Sequence, residues 1–585
     1  MISSGNRYVV NIVDRIFVND SGFSFPQTAI ITIYDENQNN IFSSDYGYLP
    51  TEKIYNLIEK QEALNLDNCY ISNFSITAYR RSRIIPKQEL FAMKGISAKF
   101  SFFNSKFQID FSFIDFGDYD VNFHGAYFSN GIVTFQSSKF GMGSIDFNSS
   151  IFRNGSFDFS NVTKISGDVN FKNVLFAKGE KNFQDTDFGT GSKSFSNTDF
   201  GGGEVKFINT RFNDGKTSFK LANFGDGEID FHFSTFGNGF LSLENAHFGS
   251  GTVDFSKVDF GYSKVNFNRA KFENGDISFE GSELKKSKFT IKWVDFGSGN
   301  INFERAEMST VEVSFDKASF DKGSTSRVSF NRSKFKSLSL RSCHLDDYFD
   351  LRVAKCELID LSNTVVRDII DLKTYDYKVE IDILNMSHMR LLGMIDIDWH
   401  INNVPSLIKH QPNSTNWIKA EQFRILKENF NKNGRYSDED KAYIEFKRYE
   451  QKAILEERIE ESSTSALWEY PYYWFKLLVF DKMGLYATEP LRVMFSMAVL
   501  YVLFSLLYVV LSFTGLGAIV ANIGEHENLS VYGKAFYFGA ITFFTIGYGD
   551  YYPIGIFRWI SSIEGFMGVF LMSYFTVAFV RKILR

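Results

Sequence analysis

Phenylalanine recurs every twelve residues without a gap at 123, 135, 147, 159, 171, 183, 195, 207, 219 and 231. A second row follows five residues behind the first, at Phe128, Phe140 and Phe152 and again from Phe176 to Phe272. Glycine keeps the same beat eleven times in succession from Gly131 to Gly251. The unit reads Gly-x-(Val/Ile)-x-Phe-x-x-(Ala/Ser/Thr)-x-Phe-x-x, and apolar and polar positions alternate around each ring. That period of two predicts short strands with one face inward. A single unit buries nothing, whereas stacked copies bury a continuous column of rings, so the pattern predicts a solenoid. The glycines fall where the chain must turn a corner and are expected to use left-handed dihedrals there.

After Phe315 the beat slips by three and the apolar rows resume five apart, at Phe330, Phe335, Leu340 and Leu345, then at Leu351, Cys356, Leu361 and Val366. A small residue stands two places before the central apolar one, as Ser333 before Phe335 and Ala126 before Phe128. This spacing resembles the pentapeptide-repeat family, and the resemblance implies a right-handed β-helix of quadrilateral section. Faces of five and seven in alternation predict 24 residues per coil with four inward rings. A two-faced coil of twelve is rejected, because it would crush a phenylalanine pair. Phe100 to Val366 is expected to form a rod whose coils are about 4.8 Å apart, within a β-helix domain spanning 69–412. An uncapped solenoid end leaves backbone groups unpaired. Residues 1–68, with strand-like runs at Tyr8–Val13 and Ala29–Tyr34 and a helix at Thr51–Gln61, are assigned as an α/β cap.

Past Trp417 the period becomes helical. Phe423, Leu426 and Phe430 share a face, Asn433-Gly434 ends that helix, and Ser437 with Asp440 approximates a capping box. The next helix carries the stripe Ala442, Tyr443, Phe446, Tyr449 and Ala453. Residues 413–465 are therefore read as a helical-hairpin connector. Residues 466–489 hold Trp468, Tyr470, Tyr472, Tyr473, Trp474 and Phe475 beside Lys476, which suits an amphipathic helix lying in a membrane interface. Val493 to Phe513 is uncharged and long enough to cross a bilayer, and a second apolar stretch runs from Ile554 to Val580. Lys476, Lys482 and Arg492 precede the first span, and Arg581, Lys582 and Arg585 follow the second. The positive-inside rule puts both ends in the cytoplasm of a multi-pass inner (plasma) membrane protein.

Composition narrows the partners. Net charge is -6 and pI near 5.9, so no basic field attracts nucleic acid. Three cysteines suit a reducing compartment, and the first twenty residues show no secretory signal. Cys343, His344 and Cys356 do not read as a metal site, since neighbours on a strand point to opposite faces. No phosphate loop or nucleophile elbow is visible, so neither enzyme activity nor a cofactor is expected.

Between the spans lies Thr545-Ile546-Gly547-Tyr548-Gly549-Asp550, which resembles the selectivity filter of potassium channels, a pathway lined by rings of backbone carbonyls. An ion shedding water needs replacement oxygens at each step, and a backbone aiming its carbonyls at one axis needs alternating, partly left-handed dihedrals. The resemblance implies a homotetramer holding K+ at Thr545, Ile546, Gly547 and Tyr548, with Gly549 completing the filter. It also implies a pore helix over Lys534–Phe544, an aromatic cuff at Tyr537 and Phe538, an outer carboxylate at Asp550 and a gating hinge at Gly568. Glu564, a carboxylate inside the second span, is expected to support the filter by bonding a pore-helix group such as Thr542. Phe544 departs from the family, where threonine is usual. The whole arrangement is similar to bacterial pentapeptide-repeat ion-channel proteins: a potassium channel gated by its β-helix, to which an unidentified cytosolic ligand or protein binds. The alternative is a weakly selective cation channel acting as a depolarising effector or sensor.

Overall fold

The computed structural model describes residues 7–35, 37–86, 89–153, 155–286, 288–320, 326–374, 376–461, 466–522 and 529–584. It forms two compact units, Met1–Gln411 and Pro412–Arg585.

The first unit is a parallel β-solenoid. One wall is a 14-stranded sheet and another a 13-stranded sheet. Along the first, Val121 pairs with Ile145, Ile145 with Val169, Val169 with Lys193 and Lys193 with Thr217, a constant step of 24 residues. The other two walls are narrower ladders, through Tyr127, Ile151, Leu175, Asp199 and Asn223 on one and Asp115, Lys139 and Thr163 on the other. The coil is thus four-walled with the 24-residue period expected. The shorter repeat tightens it, since Lys334 pairs with Lys355 and Phe349 with Ile370.

Four columns of phenylalanine fill the interior. Phe171, Phe195 and Phe219 stack at 5.1 and 4.8 Å between centroids with planes within 7° of parallel. Phe183, Phe207 and Phe231 stack likewise at 4.7 Å, with planes within 11° of parallel. Rings of adjacent columns meet edge to face, as Phe195 and Phe207 do at 84°. Both geometries bring the positive ring edge toward a negative face. The small position before the second ring has its own reason. Ser150, Thr198 and Thr210 are buried and donate to the carbonyl oxygens of Phe123, Phe171 and Phe183 at 2.7, 2.6 and 2.8 Å.

The corners follow expectation in part. Left-handed φ falls two residues after every first-row ring, at Ser137, Ser149, Asn161, Asn173, Asp185, Asn197, Asn209 and onward to Lys317. Asparagine tolerates that region best after glycine. Of the beat-keeping glycines, Gly131, Gly155, Gly179, Gly215 and Gly239 do take positive φ as expected, whereas others answer close approach: a Cβ on Gly191 would stand 2.1 Å from the Gly167 carbonyl oxygen of the preceding coil.

At the amino-terminal end β1 (Arg7–Val13), β2 (Gln27–Tyr34) and β3 (Asn40–Tyr48) are antiparallel, and β3 pairs in parallel with the strand Cys69–Ser72. They extend a solenoid wall, while α1 (Thr51–Glu59) buries Ile54, Tyr55 and Ile58.

In the second unit α2 (Asn416–Lys432) buries Phe423, Leu426 and Phe430 against α3 (Tyr436–Glu461), with the Phe423 ring stacked on Tyr449 at 5.5 Å. Thr415 caps α2 by accepting from the Ile418 amide. Because α3 starts at Tyr436, Ser437 lies inside its first turn and the expected capping box does not form. α4 (Ala466–Lys476) passes into a π-helical turn, Leu477–Lys482. Then come the first span α5 (Pro490–Ser512), a strand β4 (Gly517–Ala521), the short helix α6 (Val531–Phe543), a strand β5 (Tyr551–Gly555) and the second span α7 (Phe557–Ile583). Only 28% of each span's most apolar window is buried, too little for the core helices of a soluble domain.

Candidate ion pathway

The two spans and α6 pack around a core of Tyr508, Val509, Ala535, Phe538, Ile541 and Phe557. Ser530 caps α6 by accepting from the Gly533 amide, and the helix ends at Phe543. The negative end of its dipole therefore meets the segment Thr545–Asp550. There φ is positive at every second residue: 55° at Thr545, 65° at Gly547 and 80° at Gly549. Alternating hands turn successive carbonyls to one side. Among the described residues, no donor hydrogen-bonds the carbonyl oxygens of Thr545, Ile546, Gly547 or Tyr548. No other atom approaches the Cβ positions of Gly547 or Gly549 within 4 Å, so φ is what calls for glycine there.

The segment is braced at both ends. The Thr545 amide donates to the Thr542 carbonyl oxygen (3.2 Å) and the Ile546 amide to that of Ile541 (2.9 Å). At its carboxyl end β4 and β5 form an antiparallel hairpin with Ala521 opposite Tyr551, and the Asn522 amide donates to the Asp550 carbonyl oxygen (2.8 Å). The Asp550 carboxylate accepts from the Tyr551 amide at 3.1 Å. Tyr537 meets Tyr551 edge-on at 5.7 Å, and Phe538 is buried against Tyr508 at 5.4 Å. Phe544 is half exposed, 6.2 Å from the Tyr501 ring.

Glu564 is fully buried, and its partner differs from the one expected. Tyr508 of the first span donates to Glu564 Oε2 at 2.8 Å, while Thr542 uses its backbone to hold Thr545. Gly539 of α6 lies between, its Cβ position 3.4 Å from Glu564 Oε1 and 2.7 Å from Ser505 Oγ. Gly568 is likewise a point of close approach. A Cβ there would stand 1.9 Å from the Phe543 carbonyl oxygen, and α7 runs unbroken through it. Tyr508, Asn522 and the β4–β5 hairpin were not anticipated. The short runs Gly517–Ala521 and Tyr551–Gly555 carry no strand signal beyond their β-branched and aromatic residues.

In the solenoid, Cys343 is buried just before the strand His344–Leu345, whereas His344 is exposed. Burial pushes the Cys343 and Cys356 thiols up to about 12, unlike metal-binding thiolates. Asp230, His232 and Asp254 come within 4.8 Å of one another on the outer wall, half-buried.

Residues 496–585 match a family model described as an ion channel, Ion_trans_2. No curated protein matches the chain. A family match over two apolar spans, the short helix between them and a glycine-punctuated loop makes the C-terminal region an ion-channel domain, carried by a membrane protein whose amino-terminal part is a pentapeptide-repeat-like β-solenoid.

Proposed function

We propose that this chain is one subunit of a homotetrameric potassium-selective channel. Ions would pass single file along the carbonyl oxygens of Thr545, Ile546, Gly547, Tyr548 and Gly549, with the Thr545 hydroxyl adding an inner ligand. The alternation of left-handed φ at Thr545, Gly547 and Gly549 carries this reading, together with carbonyls from Thr545 to Tyr548 that accept nothing from the described residues of their own chain. One strand forms one wall of a pore, so the site is complete only around a rotational axis. Ile546 and Tyr548 are 49% and 71% exposed in the single subunit, which leaves their side chains free to pack against neighbouring copies and the pore helices. Tyr537, Phe538 and Asp550 support the loop from behind and above. Tyr508 and Glu564 tie the first span to the second at the level of α6. Bending at Gly568 would move the inner half of α7.

The solenoid connects covalently to the first span through α2, α3 and α4, and we assign it the gating input, from a cytosolic ligand or protein, with both chain ends cytoplasmic. The exposed Trp468, Tyr472, Trp474 and Phe475 of α4 suit a bilayer surface. Potassium flux from proteoliposomes, blocked by barium, with a reversal potential that follows potassium in mixed sodium and potassium, is the expected result. Gly547→Ala should abolish it. Equal sodium and potassium permeability would instead support a weakly selective, depolarising channel. Unchanged open probability after deletion of residues 1–411 would remove the solenoid from gating.

A further inference from the structure

The last turn of α7 carries Arg581 and Lys582, and both reach the amino-terminal part of α3. Arg581 Nη2 is 3.2 Å from Asp440 Oδ1 and 3.6 Å from Glu439 Oε1, and Lys582 Nζ is 3.4 Å from Asp440 Oδ2. The Arg581 guanidinium also lies over the Tyr443 ring at 4.3 Å. Glu439 and Asp440 are only 3% and 5% exposed. Carboxylates at that depth are tolerable only when paired, and removing one partner is far costlier than the pair is worth. About 12 Å further along the same helix, Arg448 donates to Asp481 Oδ1 from Nε (3.1 Å) and Nη2 (2.8 Å). Asp481 is buried in the π-helical turn that leads to the first span. One helix therefore grips the chain entering the pore and the chain leaving it.

The joint it grips is strained. Leu485, Tyr486 and Ala487 are three consecutive non-glycine residues with φ of 46°, 56° and 62°. The left-handed conformation is unfavourable for a residue with a Cβ, so such a turn persists only where surrounding contacts impose it. Those contacts come from α7. Arg581 Nη1 donates to the Tyr486 carbonyl oxygen (3.3 Å), the Tyr574 hydroxyl accepts from the Ala487 amide (2.9 Å), and the same hydroxyl donates to the Phe480 carbonyl oxygen (3.3 Å).

We propose that Glu439 and Asp440, through Arg581 and Lys582, latch the cytoplasmic ends of both spans and hold the left-handed turn Leu485–Ala487 wound. Movement of α3 breaks the latch, the turn relaxes and the two spans reorient together. These are positioning residues for the gate, and the idea rests on the reading of this domain as a pore. Its test has two opposed perturbations. Arg581→Gln weakens the latch, whereas Ala487→Gly removes strain from the turn and so favours the latched state.

The experiment uses the full chain in planar bilayers. Arg581→Glu and Asp440→Lys should each shift open probability about tenfold in the same direction. The combined charge swap should return it to within about twofold of wild type, and Ala487→Gly should shift it the opposite way. Single reversals that gate as wild type does, or a swap no closer to wild type than its parents, would overturn the proposal. If a reversal fails to assemble, Arg581→Gln and Ala487→Gly decide: opposed shifts support the latch, and parallel or absent shifts overturn it. Should the wild-type protein carry no potassium current, the pore reading fails separately. Hydrogen exchange at the 485–487 amides then tests the latch alone, with acceleration in Arg581→Gln and slowing in Ala487→Gly expected, and no change in either overturning it.

Discussion

Phe195 is fully buried, stacked between Phe171 and Phe219 and flanked edge-on by Phe183 and Phe207 at 5.7 Å. Truncation to alanine removes a ring from a column whose neighbours are fixed by their own coils and cannot close the gap. Phe→Ala in such a site costs about 3–5 kcal/mol. Each coil touches only the next, so the loss should remain local instead of spreading through the chain. The amides of Phe171, Phe195 and Phe219 donate to Ser194, Ser218 and Ser242 at 2.7 Å, and their hydrogen exchange reports opening of these coils. Local opening should become roughly a hundredfold to several thousandfold more frequent. Phe233→Ala is the control: that ring is 49% exposed, and exchange around it should change by less than about threefold. Exchange that barely changes near Phe195, or rises equally in α2 and α3, would refute the picture of a stacked column with nearest-neighbour coupling.

Lys181 occupies an inward position that Phe157 and Val205 fill one coil to either side, and its Nζ is buried without a hydrogen-bond partner among the described residues. Burial lowers its pKa to about 8, so both states are protonated below pH 8 and the folded state carries the penalty, which is relieved as pH rises from 8 toward the ordinary lysine value. Lys181→Val should therefore stabilise the solenoid by about 1–3 kcal/mol at pH 7, with a smaller gain at pH 10; an unchanged unfolding midpoint would refute this. Tyr508→Phe takes the donor from Glu564 and should cost about 1–3 kcal/mol, seen as a lower melting temperature in detergent. Because burial holds their thiols up to about 12, Cys343 and Cys356 should resist maleimide at pH 7 until the solenoid is unfolded.

Periodicity made the solenoid legible. Inward rings at a fixed interval leave one way to bury them, and the 24-residue coil follows from faces of five and seven. The corners were less legible, because glycine answers two demands. Gly191 is required by a neighbouring carbonyl and Gly155 by its positive φ, while a second set of left-handed turns falls at Asn161, Asn173 and their equivalents. At the pore, the loop Thr545–Asp550 announced itself through residue types that its dihedrals require. The partner of Glu564 did not. Tyr508 is 56 residues away, and nothing in an apolar run marks which hydroxyl faces the neighbouring helix. The role of Asp440 was hidden for a similar reason. Three residues from Ser437 it mimics a local cap, while its actual counter-charges lie 141 and 142 residues downstream.

The run of 24-residue coils also separates two properties that are usually entangled in a protein arm. Gain or loss of 24 residues changes reach by one strand spacing, about 4.8 Å, and returns the chain to the same wall. A change of 12 moves its exit to the opposite wall. Length and azimuth can therefore drift independently between related chains, and a duplication in whole coils leaves every ring, hydroxyl ladder and corner in phase.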